Sequence, residues 1–131
     1  MIGLDTNVLV RYLTQDEPVQ SARATAIIER RLTHADPGFV SVLAMVETVW
    51  VLERSYGLTR KQIAHAVELI LQIDALVVEN EEQVFAAMTA LKDSLGSFAD
   101  ALVAALGANA GCSNTLTVDR SALRIPGFAP A

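Results

Sequence analysis

The sequence predicts an α/β fold: a mostly parallel sheet covered by helices on both faces. Two observations predict it. Short apolar runs of strand character alternate with longer stretches of helical character, and strands spaced by helices build parallel sheets buried on both sides. Turn clusters and helix caps also fall where one pattern gives way to the next. The chain has 131 residues, the size of a single domain able to bury a core.

Taken in order, Ile2 to Leu4 reads as a short buried strand, and Asn7 to Leu13 as a short helix. Pro18 begins a longer helix reaching about Leu32, because proline is favourable in a first turn. His34 to Gly38 is a turn cluster and Phe39-Val40 a strand. Ser41 can cap a helix from Val42 to Tyr56, which Gly57 ends. Thr59-x-x-Gln62 fits a capping box for a helix to about Ile73. Leu76 to Val78 is a third strand, and Asn80-x-x-Gln83 opens a helix through about Lys92. After the loop Ser94 to Ser97, Ser97-x-x-Asp100 can cap a helix running to Ala110 and ended by Gly111. Thr115 to Val118 is a fourth strand, and Ser121 to Ala131 reads as a short tail. No repeat, linker or low-complexity tract interrupts the pattern.

Composition narrows the class. Hydrophobic residues reach 52% without glycine, which leaves apolar surface for a partner. No apolar run approaches the roughly 20 residues of a membrane span. A basic start followed by an apolar stretch is missing, so no signal peptide is expected. The lone Cys112 excludes an internal disulfide and any cysteine-rich zinc site. Together these point to the cytoplasm. A net charge of −5 argues against gripping nucleic acid by bulk electrostatics, but clustered acids at a metal site would contribute to that total.

Four carboxylates stand out. Asp5 follows the first apolar run and Asp119 the last, Glu47 interrupts the apolar run Val42 to Leu52, and Asp100 opens Ala99 to Ala110. Each has a bland alternative. Asp5 can be an N-cap, Asp119 a turn residue, and Asp100 the third position of a capping box. Glu47 has apolar helix neighbours in Leu43, Ala44, Trp50 and Val51, which places it in a buried setting. It then needs a cation or a partner such as Arg11. If the four meet, they supply the oxygen ligands that Mg²⁺ or Mn²⁺ prefers. Water activated by such a metal would attack a phosphodiester. Parallel sheets collect ligands at their carboxyl edge, where Asp5 and Asp119 lie.

The segments Asp5-Thr6-Asn7-Val8-Leu9, Phe98-Ala99-Asp100-Ala101-Leu102 and Thr117-Val118-Asp119-Arg120, with Glu47 between them, resemble the PIN domain, and most closely VapC-type toxins of toxin–antitoxin systems. The resemblance implies a three-layer α/β/α fold with a central, mostly parallel sheet of four to five strands. It also implies a Mg²⁺- or Mn²⁺-dependent endoribonuclease that hydrolyses RNA, forms a homodimer and is inhibited by a cognate antitoxin. Asp5 and Asp100 would be the principal metal ligands, with Glu47 and Asp119 completing the quartet. Thr6, Asn7 and Thr117 would support the site through hydrogen bonds. Many relatives carry an acid at the position of Ser97, so a second metal needing it is in question. The alternatives are a non-catalytic RNA- or protein-binding PIN module, or a PIN nuclease acting outside a toxin–antitoxin pair.

The remaining polar residues add little. His34 and His65 have no second histidine at ligand spacing, and no Ser-His-Asp pattern or phosphate-binding glycine loop occurs. Arg11, Arg120 and Arg124 are candidates for the RNA backbone, against the alternative of solvated surface arginines. The helices Val42 to Tyr56 and Arg60 to Ile73 are the most apolar. Core packing is their default explanation, and a dimer seam or a groove for an amphipathic antitoxin helix is the other.

Overall fold

The first apolar run forms strand β1 (Ile2–Gly3) in a computed structural model that describes residues 1–131. Helix α1 (Thr6–Thr14) follows and ends at Gln15, whose backbone is left-handed. Helix α2 (Pro18–Ala26) starts with proline in its first turn, as expected, and passes into a wider turn over Ile27–Arg31. There Leu32 N–H donates to Ile27 O at 2.9 Å, one residue beyond α-helical spacing. The single helix read from Pro18 to about Leu32 is therefore continuous but changes pitch.

Strand β2 (Gly38–Val40) leads to α3 (Val42–Arg54), capped by Ser41, whose Oγ accepts from Ala44 N–H. Helix α4 (Arg60–Gln72) carries the complete capping box expected at Thr59 and Gln62. Strand β3 (Leu76–Val78), α5 (Glu81–Lys92) and α6 (Phe98–Asn109) come next. Gly111, with φ near +98°, turns the chain out of α6 in a conformation that a side chain would oppose. Strand β4 (Thr115–Thr117), a 3₁₀ turn (Arg120–Arg124) and strand β5 (Phe128–Pro130) complete the chain.

The architecture is the expected three-layer α/β/α fold, and every strand pairing is parallel. The strands form two ladders instead of one sheet. β1, β2 and β3 pair in that order with Gly3 opposite Phe39 and Phe39 opposite Val77, while β4 pairs with β5. Strand β5 lies in the segment read as an irregular tail. Its prolines obscured it, yet Pro130 is tolerated at a strand end, and Ala131 N–H extends the ladder to Thr117 O at 2.9 Å.

The core lies between the first ladder and the helices. Val40 of β2, Met45 and Leu52 of α3, and Val84 and Ala87 of α5 are wholly shielded from solvent. The inward face of α3 is Ala44, Met45, Thr48, Val49 and Leu52, with Thr48 Oγ1 donating to Ala44 O. At Gly38 the layers come too close for a side chain, because a Cβ there would stand 2.6 Å from Leu32 Cδ1. Truncating Leu52 to alanine removes buried contacts and leaves a cavity in the core. It should cost about 2–5 kcal/mol, read as a lower denaturant midpoint at unchanged slope.

Candidate functional site

Parallel strands and the helices they feed place helix N-termini at the carboxyl edge of a sheet, where N–H groups and positive dipole ends face any acid held there. Asp5 occupies such a junction, at the N-cap of α1 with extended backbone. Its side chain makes no cap hydrogen bond, so the bland reading of Asp5 as a working cap does not describe this carboxylate. Asp5 is exposed.

Glu47 departs from expectation. Its apolar helix neighbours predict a buried setting, but it is exposed on the outer face of α3. The helix is apolar nearly all round, and its inward stripe is filled by Met45, Val49 and Leu52, so the opposite stripe stays in solvent. On that stripe Leu43 is 67% exposed and Trp50 is 56% exposed, four residues before and three after the glutamate. Arg54 stacks over the Trp50 ring at 5.4 Å. Arg11, the structural alternative to a cation for Glu47, is engaged elsewhere. The actual partner of Glu47 is Thr6, nearly fully buried, whose Oγ1 donates to Glu47 Oε2 at 2.9 Å. This bond ties the residue next to Asp5 to an acid 41 positions away, and it leaves Oε1 free.

Asp100 stands in the first turn of α6 and is half-buried. Ser97 Oγ accepts from the Asp100 backbone N–H at 3.1 Å, so only the serine half of the capping box forms, unlike the complete box of α4. The Asp100 carboxylate is not spent on the cap. A Cβ on Gly107 would come within 2.7 Å of Thr115 Oγ1, which sets the far end of α6 against the start of β4. Asp119 lies two residues beyond β4 and caps the 3₁₀ turn. Its Oδ1 accepts from both the hydroxyl and the backbone N–H of Ser121, and those bonds hold its pKa below the ordinary carboxylate value. Its own N–H donates to Thr117 Oγ1 at 3.0 Å. Asn7 is exposed beside Thr6.

The structure thus joins Glu47 to Thr6, the neighbour of Asp5 at the start of α1, and Asp119 to Thr117 at the end of β4. No three acidic, histidine or cysteine side chains converge into a ready ligand set. The chemistry of the donors nevertheless suits a hard divalent cation. All are carboxylate oxygens, and Asp5, Glu47 and Asp100 each keep oxygen uncommitted to the protein. A further acid at the carboxyl edge escaped the sequence reading. Glu79, directly after β3, turns its Oε1 to the Val42 N–H at 2.8 Å and caps α3 from across the sheet. Nothing local in the sequence announces a cap 37 residues away.

Arg11 belongs to a structural cluster. Nη1 donates to Asp16 Oδ1 at 3.0 Å and to Tyr56 Oη at 3.1 Å, Nε donates to Gln20 Oε1, and Tyr56 in turn donates to Asp16 Oδ2 at 2.6 Å. These contacts raise the pKa of Arg11 against the opposing effect of its desolvation. Arg124 reaches the Ser94 carbonyl at 3.4 Å. Both histidines are exposed, as expected of residues without a ligand partner.

The model of the PIN domain family matches residues 2–127. No curated protein matches the chain.

The Arg11 cluster gives a pH prediction. The Tyr56 hydroxyl first, and the Thr14 hydroxyl second, lower the pKa of Asp16 to about 2 from an ordinary 3.8. A depressed carboxyl adds stability above its unfolded pKa and loses it as pH falls through the folded one. The contribution of Asp16 is therefore complete above about pH 4 and fades toward pH 2. Carboxyl-detected NMR titration should put the Asp16 midpoint near 2, and Tyr56→Phe should raise it toward 3.8.

Proposed function

The chain belongs to the PIN domain family, and from that premise we propose that it is a Mg²⁺- or Mn²⁺-dependent endoribonuclease, the toxin of a toxin–antitoxin pair. PIN domains are in general divalent-metal-dependent nucleases, so the coarse activity is phosphodiester hydrolysis. The observation that carries the site assignment is the Thr6–Glu47 bond at 2.9 Å, which joins a distant acid to the residue next to Asp5, whose own carboxylate makes no cap bond.

In this reading Asp5, Glu47, Asp100 and Asp119 hold the cation. Held there, a divalent cation would neutralise charge on the phosphate and lower the pKa of water, so that hydroxide is available as nucleophile at neutral pH. Water would add to phosphorus and lose a proton to solvent, the bond to the leaving oxygen would break, and that oxygen would take a proton from solvent. The residues of the chain fix the geometry of this exchange. Thr6 donates to one Glu47 oxygen and so presents the other outward. Ser121 likewise holds Asp119 Oδ1, leaving Oδ2 to act, and Thr117 pins the Asp119 backbone. Asn7, exposed in the first turn of α1, can donate to substrate oxygen.

The partner half of the proposal rests on apolar surface. Leu13, Tyr56, Leu58 and Leu69 line a groove of about 390 Å³ between α1 and α4, floored by the end of α3. Such a groove suits the apolar face of an antitoxin helix. Exposed Leu43, Trp50 and Phe85 supply further surface for a homodimer. No helix is long and apolar enough to cross a membrane, which agrees with a cytoplasmic RNA substrate.

Asp5→Asn and Asp100→Asn remove a ligand charge at near-constant size. Each should lower metal-dependent RNA cleavage by more than about a hundredfold, the upper cost of losing even an indirect metal contact, while circular dichroism stays unchanged. Chelation should abolish wild-type cleavage, and Mg²⁺ or Mn²⁺ should restore it. Full activity in both variants would sink the assignment. Light scattering at micromolar concentration should give a dimeric mass, and a monomer there counts against the homodimer.

A further inference from the structure

A cleft between α1 and α2 opens beside the acidic site. Its walls include Asn7, Val8 and Arg11 from α1, Gln20 and Arg23 from α2, and Ile27 from the wide turn that continues it. On α2 these residues recur at helical spacing, so one face of the helix lines the cleft. Asn7 stands in the first turn of α1, two positions from Asp5, so one end of the cleft lies within a helical turn of the acidic site. Its volume of about 210 Å³ is below the roughly 300–1,000 Å³ of pockets that engulf a small molecule. It suits a segment of extended polymer backbone.

The two arginines in the cleft differ in commitment. Arg11 is held in place by its Nε on Gln20 and its Nη1 on Asp16 and Tyr56. Arg23 is exposed and enters neither ion pair of the fold, which join Met1 to Asp36 and Arg11 to Asp16. Glu17 and Glu29, equally far from Arg23 along the chain, are both occupied, Glu17 in accepting from Gln20 N–H and Glu29 from the Tyr12 hydroxyl. A helix-dipole role does not account for Arg23 either, because the helical path continues through the wide turn to Arg31. An uncommitted guanidinium in a narrow cleft, next to a nuclease site, is suited to bind phosphate through paired N–H donors.

We propose that the α1–α2 cleft carries the sugar–phosphate backbone of the RNA away from the site of cleavage, with Arg23 as its phosphate-binding residue. This inference rests on the ribonuclease reading above and adds a substrate path to it. Arg11 is the brace of that path and not a contact.

The test uses the full chain in EDTA, so that binding is measured without cleavage. The probe is a fluorescein-labelled single-stranded oligoribonucleotide of mixed sequence, followed by anisotropy across a salt series. Arg23→Gln should bind about ten times more weakly, with the slope of log K against log salt reduced by about 0.7, the loss of one single-strand phosphate contact. Arg23→Lys should recover most of the slope, and Arg31→Gln should behave as wild type. With metal restored, Arg23→Gln should raise KM about tenfold and leave kcat nearly unchanged. Wild-type affinity and slope in Arg23→Gln would overturn the cleft while leaving the nuclease reading intact. A wild-type chain that neither binds nor cuts the probe would overturn both.

Discussion

The strands of this fold are two or three residues long, and everything else is arranged around that brevity. Parallel ladders so short supply few hydrogen bonds, so the sheet depends on the helices packed against it. Val40, in the middle strand, is completely enclosed for that reason. Short strands also bring the carboxyl edge within one or two residues of the core. Asp5 follows the buried Leu4, and Glu79 follows the buried Val78, so acids that must meet solvent are anchored directly on rigid interior positions. A candidate metal site placed there inherits the stiffness of the core with almost no intervening loop.

Polar groups at this edge are divided between two tasks. Glu79, Asp119 and Ser97 are spent on holding helix or turn N-termini, through Val42, Ser121 and Asp100 N–H respectively. Asp5 and Asp100 stand at equivalent helix starts without spending their carboxylates there. Glu47 lies between the two groups, with one oxygen held by Thr6 and one available. The division follows from hydrogen-bond accounting: a backbone N–H satisfied by a neighbour's hydroxyl leaves the acid beside it free.

Much of this was legible in the residues. Elements with strong periodicity and explicit caps, such as α4 behind Thr59 and Gln62 or α6 behind Ser97 and before Gly111, fall where the sequence places them. Strand β5 was not legible, because Pro126, Gly127 and Pro130 imitate an irregular tail and its pairing with β4 is a tertiary event. The side of α3 on which Glu47 lies was not legible either. A helix apolar on every face does not declare which stripe the core will take, and the packing of Met45 and Leu52 decides it. Arg11 was mistaken for a possible partner of Glu47, because its true partners Asp16 and Tyr56 converge only in the folded chain. The acids themselves were found, but which of them keep free oxygen depends on Thr6, Ser97 and Ser121, and that is a matter of geometry.

Trp50 is the only tryptophan in the chain, more than half exposed, stacked by Arg54 and one helical turn from Glu47. The intrinsic fluorescence of the protein therefore originates at a surface instead of in the core. Unfolding changes the surroundings of that indole little, so its emission is a poor gauge of whether the chain is folded. It is a sensitive gauge of whether anything covers the outer face of α3, since covering would move the ring from water into an apolar contact. The fold has placed a built-in optical reporter beside the glutamate on which the candidate site depends.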